Sequence, residues 1–369
     1  MKLQGIFPPI TTPFASNGEV DLTRLKENIS RYNRIGLAGY VMNGSTSESV
    51  LLTWEEIERT WAVAREAARE GKIMIAGTGA EATEETIRHT KRAATLGYDA
   101  ALVRTPSYYK PFMTFEAESA HFLRVADASP IPVLIYSVPV FTNYTVEAPL
   151  VAKLAAHPNI VGIKDSSGNV QRMKDIVAST PKSFSALTGS ALTLEEALHE
   201  GASGAILAIA CAVPEACVGL YDAAKSGDLQ RVEQLKKRAI NPAATITTKF
   251  GIAGLKFAMD RVGYFGGQPR APLLPLAEEA KKEIELLLVR EFVGGAEVQQ
   301  VAGTSLLGKV AGVLGERVPA GGQLAVKQEG GLAGHVAAAV FGQPVDREHS
   351  RHGPVLGERA RPGQLHRGS

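Results

Sequence analysis

The segment His157-Pro-Asn-Ile-Val-Gly-Ile-Lys-Asp-Ser-Ser-Gly-Asn-Val170 contains a predicted buried strand that ends in a lysine. The apolar run Ile160 to Ile163 is short and rich in β-branched residues, which predicts a buried strand. Lys164 ends that run, and turn residues follow until a helical pattern begins at Val170. A lysine in such a place is either paired with an acid, such as Asp165, or is a neutral amine that can form a Schiff base with a carbonyl group.

The same order of strand and helix repeats from the beginning of the chain. Each predicted strand is a short apolar run followed by a helical pattern. The predicted strands are Gly5 to Ile10, Ala38 to Met42, Lys72 to Ala76, Asp99 to Arg104, Pro132 to Tyr136, Ile160 to Lys164, Phe184 to Leu187 and Gly204 to Leu207. Eight such units predict an α/β fold, a parallel (β/α)8 TIM barrel. An open doubly wound sheet is the alternative, but the glycine-rich dinucleotide fingerprint typical of that fold does not follow the first strand.

Three regions are predicted along the chain. Residues 1–210 form the catalytic barrel, and residues 211–292 form additional C-terminal helices packed on it. The predicted helices are Glu215 to Ser226, Asp228 to Ile240, Thr245 to Val262 and Pro275 to Arg290. Residues 293–369 are rich in Gly, Ala, Val, Gln and Arg and poor in aromatic residues, which predicts a disordered tail. Both a tail without function and a small accessory segment remain open.

Composition excludes several classes of function. The 369 residues carry a formal net charge of +2, which favours neither nucleic acid nor a membrane surface as a partner. The hydrophobic content of 45% is ordinary for a soluble enzyme. Cys211 and Cys217 have no histidines near them in the sequence and make no disulfide framework, so we expect no metal site and a reducing, cytoplasmic setting. The first residues lack the apolar core of a signal peptide.

Polar and aromatic residues cluster where the predicted strands end. In a barrel these ends form one rim, and reacting groups lie there. The rim residues are Ser45, Thr46, Tyr108, Tyr136, Lys164 and Gly189. The loop Gly44-Ser-Thr-Ser-Glu-Ser49 offers N–H groups and hydroxyls that can cradle a carboxylate, although a plain turn and helix cap is the alternative. Glu48 would repel a bound carboxylate, so we expect its side chain to be turned away and paired.

Two tyrosines are candidates for proton transfer. Tyr136 ends the strand beside that of Lys164, and its phenol can exchange a proton with a reacting hydroxyl or can simply pack at the rim. Tyr108 follows the fourth strand and is either part of a proton relay or a loop anchor. Phe7, Phe141 and Ile206 are expected to supply apolar walls.

Four motifs in this order resemble those of the dihydrodipicolinate synthase / N-acetylneuraminate lyase family of class I aldolases. They are Gly44-Ser-Thr-Ser-Glu48, Thr105-Pro-Ser-Tyr-Tyr109, Tyr136-Ser-Val-Pro139 and Gly162-Ile-Lys-Asp-Ser-Ser-Gly168, and the resemblance covers residues 3–290.

The resemblance implies specific roles for the rim residues. Lys164 would form an imine with a 2-oxo acid, usually pyruvate, and Tyr136 would be the general acid and base. Ser45 and Thr46 would hold the substrate carboxylate. We assign Ser166 to the same substrate site, together with Gly189 from the rim and Ile206 from the apolar wall. Tyr108 matches a family tyrosine that crosses a tight dimer interface, which implies a homodimer or homotetramer. No cofactor is expected, because the iminium is itself the electron sink.

The motifs also bear on the substrate. Members that make dihydrodipicolinate usually carry an arginine two residues after Val-Pro, and Phe141 stands there. The segments Gly5-Ile-Phe-Pro-Pro-Ile-Thr-Thr-Pro-Phe14 and Phe250-Gly-Ile-Ala-Gly-Leu-Lys256 are closer to 4-hydroxy-2-oxoglutarate aldolase, in which Ser45 and Ser166 would bind carboxylates. That aldolase usually has Asn-Gly where Thr46-Ser47 stands here.

We therefore predict retro-aldol cleavage of 4-hydroxy-2-oxoglutarate, or of a related acid, to pyruvate and an aldehyde. Condensation of pyruvate with aspartate semialdehyde, other aldolase or sugar-acid dehydratase activities of the family, and a non-catalytic barrel that binds 2-oxo acids remain alternatives.

Overall fold

The computed structural model describes residues 1–292, in which eight parallel strands form a barrel. The strands are β1 (Gly5–Phe7), β2 (Gly39–Met42), β3 (Ile73–Gly77), β4 (Ala100–Arg104), β5 (Val133–Ser137), β6 (Ile160–Asp165), β7 (Ser185–Thr188) and β8 (Gly204–Ile206). Their order is β1-β8-β7-β6-β5-β4-β3-β2. At the β1–β2 seam, the Ala38 N–H donates to the Ile6 carbonyl over 3.0 Å and the Ile10 N–H donates to the Val41 carbonyl over 2.9 Å. These bonds bring the two ends of the sheet together, and the predicted TIM barrel is confirmed.

Helices alternate with the strands and then continue beyond β8. They are α1 (Leu22–Tyr32), α2 (Trp54–Ala67), α3 (Thr83–Thr95), α4 (Phe115–Ala128), α5 (Pro139–Thr142), α6 (Ala148–Leu154), α7 (Val170–Ser179), α8 (Leu194–His199), α9 (Pro214–Ser226), α10 (Leu229–Pro242), α11 (Gly251–Val262) and α12 (Glu278–Phe292). The start of α2 shows how the sequence sets a boundary. The Glu56 N–H donates to Thr53 Oγ1, and the Thr53 N–H donates to the Glu56 carboxylate, so the two residues form a capping box. None of the helices in residues 1–292 has the length and apolarity to cross a bilayer.

The strands are buried on both faces because side chains alternate between the barrel interior and the helical layer. The interior cluster includes Phe7, Leu134, Tyr136, Leu187 and Ile206. The outer cluster fills the space between strands and helices and extends into α11, where Leu255, Ala258 and Met259 are buried. Tyr136 and Ile206 thus belong to the same apolar interior.

The C-terminal helices differ in one place from the prediction. A single helix was expected from Thr245 to Val262, and this is wrong. A π-helical segment, Ala243–Lys249, comes first, and α11 begins after Phe250 at Gly251, whose φ of +59° lies in the left-handed region and interrupts a regular helix. The division at residue 210 stays a prediction, and the predicted tail, residues 293–369, lies outside the described residues.

Helix α4 buries a carboxyl group that makes stability depend on pH. Glu118 is fully buried, and within residues 1–292 neither of its oxygens has a hydrogen-bond partner. Burial, with a smaller contribution from the negative charge of Glu81, raises the pKa of Glu118 from 4.5 to about 8. The folded chain therefore keeps this proton over a range in which the unfolded chain has lost it.

We expect the free energy of unfolding to fall between pH 4.5 and about 8 because of Glu118. The slope from one such group is at most about 1.4 kcal/mol per pH unit. Glu118→Gln should remove this slope, and urea unfolding across that range will measure it. Glu116→Gln, at an exposed site on the same helix, is the control and should leave the slope in place. Parallel pH profiles for Glu118→Gln and the wild type would contradict the assignment.

Candidate active site

Lys164 and Tyr136 are direct neighbours on adjacent strands. They pair in the β5–β6 register, and their side chains are only 4% and 5% exposed. The Lys164 Nζ lies 4.2 Å from the centroid of the Tyr136 ring. A primary amine and a phenol are therefore held together at the carboxyl end of the barrel, where β5 and β6 finish.

Lys164 does not form the ion pair with Asp165 that the sequence left open. Asp165 instead accepts a hydrogen bond of 3.1 Å from Arg172 Nε and one of 2.5 Å from the Ser167 hydroxyl. Within residues 1–292, no carboxylate makes an ion pair with the Lys164 amine. No counter-charge therefore occupies the position that a substrate carbonyl group would take beside this amine. The alternative of a structural ion pair is wrong for this lysine.

The Asp165 network instead fixes the loops around β6. Arg172 lies on α7, and besides Asp165 it binds Glu147 over 3.2 Å and the Val146 carbonyl. The Ser166 N–H donates to the Ser137 carbonyl over 2.9 Å. Hydrogen bonds therefore connect the segments that follow β5 and β6, and they hold the Lys164 and Tyr136 side chains next to each other.

The loop after β2 reaches the same place. Ser45 begins a 3₁₀ turn, Ser45–Ser47, and its hydroxyl lies 3.3 Å from the Tyr136 hydroxyl. Ser45 and Thr46 are both half-buried. The Ser47 hydroxyl donates to the Ile10 carbonyl over 2.5 Å, and the Thr12 hydroxyl donates to the Ser47 carbonyl over 2.7 Å. These bonds anchor the Ser45–Ser47 turn. Its Ser45 hydroxyl is thereby held next to the Tyr136 phenol.

Ser166 and Gly189 lie against each other at the ends of β6 and β7. The Gly189 N–H donates to the Asp165 carbonyl over 2.7 Å. A methyl group at Gly189 would lie 2.0 Å from the Ser166 Oγ and 2.9 Å from its Cβ. Ile206 is buried in the interior cluster with Tyr136. Only a glycine at position 189 therefore leaves room for the Ser166 side chain in its present position.

We expect Gly189→Ala to displace Ser166 and lower kcat/KM by at least about tenfold, because small misplacements of binding groups are costly. Steady-state kinetics with a 4-hydroxy-2-oxo acid will measure the loss. Gly36→Ala is the matched control, since its new methyl group would meet only Val218 Cγ1 at an ordinary 3.4 Å. Equal kcat/KM for Gly189→Ala and the wild type would show that Ser166 does not depend on this contact.

Tyr108 is not assembled with the other candidates in the single chain. Its side chain is 79% exposed and packs edge-on against Tyr109, with 5.1 Å between ring centroids. Its backbone N–H donates to Glu81 over 2.9 Å, and Glu81 also binds Arg104 over 2.7 Å. The loop is thus held by an acid that the sequence did not single out, and the tyrosine side chain projects away from the fold.

The expected role of Glu48 agrees with the geometry. Its side chain is buried and paired with Lys256, with 2.5 Å between Oε1 and Nζ. The partner could not be predicted, because Lys256 lies on α11, more than two hundred positions further along the chain. Phe141 lies on α5 and is 66% exposed, so it does not form the buried apolar wall that was expected of it.

A barrel with a buried lysine and a tyrosine side by side at the ends of β5 and β6 defines a lyase of the class I aldolase type. The chain belongs to the dihydrodipicolinate synthetase family, whose sequence model matches residues 2–290. The resemblance inferred from the four motifs is therefore confirmed.

Its relatives carry two different names. A 4-hydroxy-tetrahydrodipicolinate synthase from Exiguobacterium sp. is 33% identical over 280 residues, which is 76% of this chain and 95% of that protein. A "Probable 4-hydroxy-2-oxoglutarate aldolase, mitochondrial" from Emericella nidulans is 34% identical over 282 residues, 75% of this chain and 91% of that protein. A crystal structure of chloride-inhibited dihydrodipicolinate synthase from Acinetobacter baumannii, complexed with pyruvate, has a TM-score of 0.74 at 32% identity and covers 77% of this chain and 97% of that one.

Proposed function

We propose that the protein is a pyruvate-forming aldolase that cleaves a 4-hydroxy-2-oxo acid, most directly 4-hydroxy-2-oxoglutarate, through an imine at Lys164. One observation carries the proposal. The Lys164 amine is buried and has no carboxylate partner among residues 1–292, and it lies 4.2 Å from the centroid of the Tyr136 ring, whose hydroxyl is in turn 3.3 Å from the Ser45 hydroxyl. The Lys164 amine, the Tyr136 phenol and the Ser45–Thr46 turn are thus neighbours, as binding the keto group and the carboxylate of a 2-oxo acid would require.

The chemistry follows from that order. The Lys164 amine adds to the keto carbon, and loss of water gives an iminium. Removal of the proton from the 4-hydroxyl breaks the C3–C4 bond, the electron pair enters the iminium to give an enamine, and the aldehyde leaves. Protonation of the enamine carbon and addition of water release pyruvate and the free amine. In this proposal Tyr136 carries the protons, and Ser45 and Thr46 bind the carboxylate beside the keto group.

The second half of the substrate is assigned to the Ser166 side of the site. Ser166 is half-buried, lies two residues after Lys164 and is so close to Gly189 that a methyl group there would overlap its side chain. Its hydroxyl is therefore available to the distal end of a 4-hydroxy-2-oxo acid. Phe141 in place of an arginine supports the aldolase over a synthase, whereas the relatives carry both names and most of them are called synthases.

A 4-hydroxy-tetrahydrodipicolinate synthase is the second candidate. Its support is the name carried by the Exiguobacterium relative and by the Acinetobacter baumannii structure. That reaction shares the Lys164 imine with pyruvate and differs in the second substrate, aspartate semialdehyde. The absence of a cation at Phe141 weighs against it.

We propose that the active unit is a homodimer or a homotetramer. Tyr108, Tyr109 and Phe112 form an exposed aromatic group beside α4, with 79%, 66% and 71% exposure. A second copy covering this group would bring Tyr108 toward the site of its neighbour. Size measured by light scattering, before and after Tyr108→Arg, tests this assembly.

A coupled assay for pyruvate release separates the candidates. We expect release from 4-hydroxy-2-oxoglutarate and from few other 4-hydroxy-2-oxo acids. Efficient condensation of pyruvate with aspartate semialdehyde, without retro-aldol activity, would replace the aldolase by the synthase. Neither activity, despite bound pyruvate, would leave a non-catalytic 2-oxo-acid-binding barrel.

A further inference from the structure

Glu48 places a buried negative charge in the loop assigned to a substrate carboxylate. It follows the Ser45–Ser47 turn directly, and its N–H donates to the Ser45 carbonyl over 3.0 Å. Its backbone is left-handed, with φ 58° and ψ 32°, which is uncommon for a residue other than glycine. Its side chain is only 2% exposed. An anion bound by Ser45 and Thr46 would therefore be close to a charge that water does not screen.

Lys256 is the cation that meets this charge. It is fully buried on α11, and its Nζ lies 2.5 Å from Glu48 Oε1. The same amine donates to the Gln268 carbonyl over 3.0 Å and sits 4.4 Å from the centroid of the Phe14 ring. A lysine held in so many contacts has one position, so its charge is fixed opposite Glu48.

The other charged groups around this pair are already engaged. The Arg270 backbone N–H donates to Glu48 Oε2 over 2.7 Å, but its guanidinium binds Glu56 through two bonds of 2.6 and 2.7 Å. Asp260 accepts the Gly266 N–H over 2.8 Å. Burial lowers the pKa of Lys256, while the carboxylates of Glu48 and Asp260 act in the opposite direction. Within residues 1–292, Lys256 is therefore the one amine paired with Glu48.

We propose that Lys256 is the charge-compensating positioning residue of the substrate-carboxylate site. It neutralises Glu48, so that the Ser45–Thr46 turn presents N–H and hydroxyl donors to an anionic 2-oxo acid without a competing negative charge. The inference rests on the proposed function, since it assumes that this turn binds the carboxylate. Lys256 touches neither the substrate nor the reacting atoms and acts through Glu48.

The shape of the turn has other supports. Ser47 and Thr12 anchor it to the strand ends, and the Arg270 N–H holds Glu48 Oε2. A glutamine at position 48 keeps an oxygen for the Arg270 N–H while losing the charge. Charge and shape can therefore be separated by mutation.

The test compares Lys256→Met with the double variant Glu48→Gln/Lys256→Met in the full-length chain. The readout is the half-saturating concentration of pyruvate for imine trapping by borohydride, from mildly acidic to mildly basic pH. In Lys256→Met we expect this concentration to rise roughly tenfold or more at basic pH, because a like charge now faces the carboxylate. In the double variant, which lacks the Glu48 charge as well, the half-saturating concentration of pyruvate should return to the wild-type value at every pH.

Lys249→Met is the matched control. Lys249 also pairs with a glutamate, Glu283, over 2.7 Å and lies 4.8 Å from the Phe250 ring centroid, but at the surface. It should leave pyruvate binding unchanged.

Each result decides between the claims. A folded Lys256→Met protein that binds pyruvate as tightly as the wild type would overturn the inference. If Lys256→Met does not fold, the double variant must fold and bind pyruvate normally, and weakened, pH-independent binding in it would overturn the inference instead. If the wild type itself traps no pyruvate, the proposed function fails, which is a separate outcome.

Discussion

Lys164→Ala should lose pyruvate-forming activity by a factor on the order of 10⁵ or more, because the step that forms the covalent intermediate has no substitute. The amine has no ion-pair partner in residues 1–292, so its removal leaves no uncompensated buried charge, and the protein should stay folded. Single-turnover and steady-state pyruvate release, with circular dichroism of the variant, will measure both effects.

Lys153→Ala is the control for this loss. Lys153 also lies over an aromatic ring, 5.1 Å from the centroid of Phe115, but it is exposed on α6. Its replacement should leave turnover unchanged. Residual activity of Lys164→Ala within about a hundredfold of the wild type would mean that the carbonyl is activated by general acid–base catalysis without an imine.

Tyr136→Phe should lower kcat by about 10² to 10⁴-fold, the usual contribution of a positioned proton-transfer group. The ring remains, so the contact with Lys164 and the packing in the barrel interior are kept. The variant loses the 3.3 Å contact between its hydroxyl and Ser45, which should cost about 1 kcal/mol of stability or less. Pre-steady-state trapping should show slowed formation of the imine.

Two variants separate proton transfer from structure. Tyr40→Phe removes another buried hydroxyl, which donates to Asn33 over 2.9 Å, and should change stability but not kcat. Ser45→Ala should raise KM more than it lowers kcat, since Ser45 is assigned to carboxylate binding. A Tyr136→Phe enzyme with wild-type kcat would remove the phenol from the proton path.

The barrel was predictable because its signals are local. Each strand is a short apolar run, and each helix carries its own periodicity and caps, such as Thr53 and Glu56. The break between Lys249 and Gly251 was not predictable in the same way. Apolar residues continue through it at helical spacing, and only the backbone of Gly251 shows the interruption.

The candidate site was predictable for those residues whose position follows directly from their place at the end of a strand. Lys164 and Tyr136 end neighbouring predicted strands, so their contact follows from a parallel barrel. The partners of Asp165 and Glu48 were not predictable, because Arg172 and Lys256 reach them through the packing of separate helices. The sequence could not exclude an ion pair between Lys164 and Asp165. The structure excludes it, because Asp165 is paired with Arg172 instead.

Whether Lys164 forms the imine can be measured by reductive trapping of the wild-type protein with pyruvate and borohydride, followed by mass spectrometry of its peptides. The expected result is one reduced pyruvate unit, attached to Lys164 and absent from the Lys164→Ala protein. Turnover of a 2-oxo acid with no adduct at Lys164, or an adduct at another lysine, would contradict it.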